Sequence, residues 1–264
     1  LNNLMKEVGG FDHNFQTLKL VTILERQYVK FPGLNLCFES LDGIVKHNGP
    51  IGEKNRAIRL FWDQNIALGK GRAKHQLSLF PSLEAQVASL SDDIAYCAHD
   101  IADGHEARIL SYVNLKNSPF FGEFLLSDQT SERSDLLSVA QGCRDLIRYL
   151  VDDLISQTYD NINNIQKSTT DMKISNLIAF SSETAKKVVE LKKYLFKNLY
   201  RSEEINLMRG QAEEVVNALF EYYFENLDNV PPSLKENKYY LKFKSFRHRK
   251  LNLVGDFIAS MTDK

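Results

Sequence analysis

Long apolar runs, an excess of either charge, and cysteine are all scarce in this sequence, and each scarcity excludes something. The longest apolar stretches, such as Leu18 to Leu24, are broken by polar residues well short of the roughly 20 needed to cross a bilayer, so no membrane partner is expected. Thirty-three Lys and Arg stand against 34 Asp and Glu. With a net charge of -1, no global field steers the chain toward nucleic acid or an anionic surface, and any such binding must be local. The three cysteines, Cys37, Cys97 and Cys143, show no close pairing, and no secretory signal opens the sequence. Free thiols in a reducing compartment are the expectation, which predicts a cytoplasmic protein. No Ser/His/Asp elbow, cysteine nucleophile or paired CxxC metal knot can be assembled. GKGRAK, Gly69 to Lys74, lacks the spacing of a phosphate-binding loop and its terminal Lys-Ser/Thr, and reads as a plain loop.

With 264 residues, 43% of them hydrophobic and 11% aromatic, the chain can bury a sizeable core. Apolar residues recur at spacings of three and four nearly everywhere, without alternating β-branched runs, so the fold class expected is all-α. Helices are predicted over 14–30, 36–47, 82–104, 105–114, 119–127, 131–158, 181–200, 203–226 and 246–262. Pro32-Gly33, Asn48-Gly49-Pro50, the polar Lys70 to Gln76 stretch and Pro231-Pro232 break the pattern, and 48–80 is the least regular segment. Asp135 to Asp160 reads as a charged amphipathic helix rather than a heptad coil. LNNLMKEVGG reads as the tail of a helix ending at Gly9-Gly10, and DFIASMTDK runs on without a stop signal, so both ends look trimmed.

The segment PSLEAQVASLSDDIAYCAHDIADG carries the chemistry. Pro81 and Ser82 open a helix that Gly104 can close, and Leu83, Val87, Leu90, Ile94, Ala98 and Ile101 fall on one face, read as core. Asp92, Tyr96, Asp100 and Asp103 share the opposite stripe, with His99 beside them. A solvated face is the ordinary reading of such a stripe. Against it, acids at four-residue spacing repel one another, and Arg108 is the one base near the segment in the sequence. A bound cation or ligand would relieve the repulsion. A tyrosine between the acids offers a flat ring and a hydroxyl, which suits a sugar, while a carboxylate can take a hard or borderline divalent metal.

This block, together with GGFDHNFQTLKLVTILE, LNLCFESLDGIVKHNGP and DFIASMTDK in order, resembles the bacterial deoxyguanosine triphosphate triphosphohydrolases of the HD-domain superfamily. The resemblance runs through nearly the whole chain. It implies an HD-domain-like helical bundle with a helical carboxy-terminal extension: 1–130 as the later part of the catalytic core and 131–264 packed on it in one continuous unit. It also implies a divalent metal, Mn2+, Mg2+ or similar, held by a histidine, a histidine-aspartate pair and a later aspartate. That later aspartate matches Asp92, with Asp93 as the rival; the helical stripe favours Asp92, four residues from Tyr96 and eight from Asp100. The remaining ligands would precede Leu1. His99-Asp100 spells the metal dipeptide but sits where the family places sugar recognition, so it is not assigned as the metal pair. Tyr96 would pack on the deoxyribose and Asp100 would accept its 3'-hydroxyl.

In the same family, GGFDHNFQ follows the catalytic loop, which makes His13 a catalytic candidate and Asn14 and Gln16 substrate contacts; capping of the next helix by Asp12 or Asn14 is the simpler alternative. LKKYLFKNLYRS resembles the helix that brings basic and aromatic groups to the triphosphate, with Lys192 and Tyr200 eight residues apart. Glu39, His47 and Asn48 belong to a matching block without an assigned role. The activity implied is hydrolysis of a deoxynucleoside triphosphate, chiefly dGTP, to the nucleoside and inorganic triphosphate. A catalytically inactive helical nucleotide-binding regulator is the competing class. The family tends toward homo-oligomers with nucleotide effectors or DNA regulation. KYYLKFKSFRHRK, Lys238 to Lys250, interleaves bases with aromatics, a pattern that suits single-stranded DNA as well as an intersubunit or phosphate-effector contact.

Overall fold

The computed structural model describes residues 1–66, 77–125, 132–166 and 176–261. Among these residues no strand occurs, and the α-helices are α1 His13–Lys19, α2 Phe38–Lys46, α3 Arg56–Asn65, α4 Leu83–Glu106, α5 Tyr112–Lys116, α6 Glu132–Gln166, α7 Ser182–Asn198, α8 Glu203–Glu225, α9 Pro232–Lys235 and α10 Phe246–Ala259. The all-α expectation holds. No helix among the described residues is long and apolar enough to cross a membrane. The chain divides into two compact units, Leu1–Pro81 with Gly210–Lys264, and Ser82–Arg209, the second cut falling within α8. The expected boundary at residue 130 and the GKGRAK loop lie outside the described residues.

The second unit is organised by α4. Ser82 caps it by accepting from the Ala85 amide, satisfying a donor that has no partner within the helix. From Ile94 onward, Ile94, Ala98 and Ile101 are buried against Val139, Cys143, Leu146 and Leu150 of α6 and Val188, Leu191, Leu195 and Leu199 of α7. Full burial of each leucine or isoleucine contributes about 1.5 to 3 kcal/mol. The expected core face fails in the first turns, where Leu83 and Val87 are 39% and 45% exposed. There the inward positions are Ala85 and Gln86, and the Gln86 side-chain carbonyl accepts from the backbone amides of Leu177 and Ile178. A polar side chain takes the buried place because two chain amides need an acceptor there.

Gly104 does not end α4. A Cβ at Gly104 would lie 2.8 Å from a Leu110 methyl and 3.0 Å from a Leu199 methyl, so both leucine side chains pack closely on the glycine inside the helix. Closure comes at Arg108, which adopts φ 61°, while the amides of Ile109 and Leu110 both return to the Gly104 carbonyl. The expected helix over 105–114 therefore shortens to α5, and 119–127 to a single 3-10 turn, Phe121–Phe124, within its described part.

In the first unit the predicted 14–30 helix stops early. After α1 the chain widens into one π turn, Leu20–Leu24, and becomes extended at Glu25. It folds back so tightly that a Cβ on Gly33 would sit 2.4 Å from the Val21 carbonyl, and Gly33 has φ 68°. That approach and that dihedral admit glycine alone. The segment expected to be irregular contains α3, which buries Ile58, Phe61 and Trp62. Trp62 is fully buried among Leu18, Leu41, Val45 and Leu77.

Lys19 at the end of α1 forms an ion pair with Asp256 of α10, with side-chain exposures of 3% and 0%. Tyr240 donates to the second Asp256 oxygen at 2.9 Å. Burial and the neighbouring carboxylate hold the Tyr240 hydroxyl far above its usual pKa range, so it stays a donor. Removing one partner leaves the other charge buried and uncompensated. Lys19→Met is expected to lower the unfolding free energy by about 3–5 kcal/mol, and adding Asp256→Leu to recover part of that loss. Denaturant unfolding of the three variants checks this; additive losses would contradict it.

Candidate functional site

Asp92, Tyr96, Lys192 and Tyr200 come together. They line a cavity of about 360 Å³ in the second unit, with Asp93, Cys97, Leu195 and Phe196. That volume falls in the range of about 300–1,000 Å³ that small-molecule sites occupy. α4 supplies one wall because its apolar stripe faces the core, which turns Asp92 and Tyr96 outward; Tyr96 is 57% exposed. α7 supplies the other. Leu191, Leu195 and Leu199 are buried, which leaves Lys192, Phe196 and Tyr200 toward the opening.

The acids of α4 are not uncompensated. Lys192 Nζ lies 2.8 Å from Asp93 Oδ1, each side chain a little over two-fifths exposed. The sequence expectation that Arg108 was the nearest base is corrected: the compensating base comes from another helix a hundred positions on. Asp100 is not part of the cavity lining; it accepts a hydrogen bond from the Tyr200 hydroxyl, and so touches the cavity through that ring. Burial and the Asp103 carboxylate raise the Asp100 pKa, opposed by His99. Phe196 and Cys97 were missed from sequence. A usable signal existed for Phe196, which stands four residues from both Lys192 and Tyr200 and so shares their face.

The other predicted residues belong to the first unit. Asp12 caps α1, accepting from the Phe15 amide at 2.7 Å, so the capping alternative falls to Asp12 rather than Asn14. His13 is exposed and Asn14 half-buried. Gln16 lines a separate cavity of about 320 Å³ with Phe15, Lys54 and Arg56. Its Oε1 is buried without a hydrogen-bond partner among the described residues. His47 Nδ1 donates to the Ile44 carbonyl at 2.7 Å and its Nε2 accepts from the Asn48 side-chain amide at 2.9 Å, a loop anchor.

A divalent metal does not fit the described residues by themselves. Asp92 offers one exposed carboxylate, and no group of three or more His, Cys, Asp or Glu side chains converges among the described residues.

The family described as a phosphohydrolase-associated domain matches residues 178–264, which include Lys192, Phe196 and Tyr200. A deoxyguanosinetriphosphate triphosphohydrolase-like protein of Rickettsia bellii (strain RML369-C) is 35% identical over 272 residues, covering 100% of this chain and 67% of the relative. The chain belongs to this family. A protein of the same name from Bartonella henselae is 36% identical over 272 residues, again across 100% of this chain, and 66% of its own length is covered. The fold class and the family implied by the four sequence blocks are thus both found.

Two outcomes test the site geometry. Tyr200→Phe removes the donor that favours ionised Asp100, so the Asp100 carboxyl should titrate at higher pH in the variant, followed by carbon-detected NMR; an unchanged titration would mean that the hydrogen bond is absent in solution. Burial pushes the Cys97 and Cys143 thiols up to about 11, so both stay protonated at neutral pH, whereas Cys37 is exposed. Iodoacetamide should add once to the native protein and three times after unfolding, read by intact mass.

Proposed function

We propose that this protein hydrolyses a deoxynucleoside triphosphate, dGTP above the others, to the deoxynucleoside and inorganic triphosphate. One observation carries the reading: a single cavity presents a carboxylate (Asp92), an exposed ring (Tyr96), a cation (Lys192) and a tyrosine bonded to a second carboxylate (Tyr200 to Asp100). These are the groups that a sugar joined to a polyphosphate needs. Family membership supports it, since the Rickettsia bellii relative is named for dGTP.

In this reading Tyr96 packs on the deoxyribose, where a ribose 2'-hydroxyl would clash with the ring, and Asp100 accepts the 3'-hydroxyl. Tyr200 orients that carboxylate by donating to it. Lys192 neutralises part of the roughly four negative charges of the triphosphate. A water oxygen bonds to the α-phosphorus as the bond from that phosphorus to the 5'-oxygen breaks, and the 5'-oxygen leaves with a proton. Asp92 is assigned as one carboxylate toward a divalent metal, manganese or magnesium. His13 is assigned to proton handling and Asn14 and Gln16 to substrate contact on the family resemblance alone. The working setting is the cytoplasm, as a homo-oligomer, with a nucleotide or single-stranded DNA as effector.

The test is release of inorganic triphosphate from each of the four deoxynucleotides with manganese. Release of pyrophosphate instead, or none from any substrate, would overturn the reading. Asp92→Ala should cut turnover by more than about 100-fold while keeping its helical spectrum; retained turnover would remove Asp92 from the site.

A further inference from the structure

Asp93 has no place in the reaction above, yet it holds one of the cavity's central groups. Lys192 Nζ meets Asp93 Oδ1 at 2.8 Å, and both side chains line the cavity that Asp92 and Tyr96 share. The two carboxylates of the Asp92-Asp93 pair sit about 100° apart around α4, so one turns to the Lys192 of α7 while the other makes no ion pair among the described residues. An anion that enters the cavity and binds Lys192 competes with Asp93 for it.

We propose that Asp93 is the resting counter-ion of Lys192, giving the lysine up to an incoming polyphosphate and taking it back when the polyphosphate leaves. The inference rests on the reading of this cavity as a triphosphate site. Three features suit the exchange. The pair is a little over two-fifths exposed on each side, so it is weak enough to break without leaving a buried charge. The lysine head is a compact ammonium with three donors on a flexible stem, which can swing between acceptors a few ångströms apart. A triphosphate concentrates about four negative charges where Asp93 offers one. Asp93 therefore lowers the affinity for triphosphate in two ways, by occupying Lys192 and by repelling the ligand. It also supplies the partner that recaptures the lysine during release of the inorganic triphosphate product. Asp93 is a positioning residue here, acting through Lys192.

The probe is inorganic tripolyphosphate, with its dissociation constant measured by calorimetry on the intact protein at low salt without added divalent metal. Asp93→Asn should tighten binding roughly fivefold, the scale of one partly exposed ion pair, and Lys192→Met should weaken it. In the Lys192→Met background the Asp93→Asn effect should shrink to less than about twofold, because the exchange has no cation left to act on. Binding that is unchanged or weaker in Asp93→Asn overturns the proposal. So does equal tightening in the Lys192→Met background, which would leave simple like-charge repulsion, and so does an absence of measurable tripolyphosphate binding in both the parent and Asp93→Asn. A protein that binds tripolyphosphate as expected but hydrolyses no deoxynucleotide would retain the ion-pair exchange and lose the proposed activity. The two failures are thus separable.

Discussion

The burial of one stripe of α4, Ile94, Ala98 and Ile101, against α6 and α7 governs everything chemical in the second unit. A helix has one rotational setting about its axis, and apolar burial chooses it. With Ile101 wholly buried and Ala98 nearly so, Asp92 and Tyr96 can only face outward. The small side chain of Ala98 matters too, since the Cys143 thiol of α6 reaches the Ala98 carbonyl at 3.3 Å. The same logic fixes α7, whose buried Leu191, Leu195 and Leu199 leave Lys192, Phe196 and Tyr200 for the cavity. This wall of the cavity is therefore a by-product of core packing.

The two Lys-Asp pairs illustrate how burial decides what a charge does. Lys19 and Asp256 are almost wholly withdrawn from water, and Tyr240 completes the satisfaction of the carboxylate. Such a pair is costly to break and serves as a fixed tie between α1 and α10. Lys192 and Asp93 make a similar contact in half-open surroundings. Water can replace either partner there at small cost, which makes the pair suited to exchange rather than to structure.

Most helices were legible because their signals are local. Ser82 caps α4, Ser181 caps α7 by accepting from Thr184, and Ser245 caps α10 by accepting from His248. Val139, Cys143, Leu146, Leu150 and Leu154 mark the inward face of α6 at spacings of three and four. Where the reading failed, the deciding partner was distant in sequence. The early end of the first helix depends on Gly33 closing on Val21, and the glycine inside α4 packs against Leu199. Gln86 displaces the expected apolar face because Leu177 and Ile178 need an acceptor. α3 was overlooked because it lies among the breaks of 48–80 that suggested irregularity, although its Trp62 is as buried as any residue in the chain.

By itself the sequence determined the helical class, the family blocks, and the stripe bearing Asp92, Tyr96 and Asp100, because periodicity and caps are properties of neighbouring residues. Tertiary structure alone decided that Lys192 neutralises Asp93, that Tyr200 bonds Asp100, and that Phe196 and Cys97 join the cavity. Those contacts link positions about a hundred residues apart, and only the packing of α7 onto α4 brings them within reach.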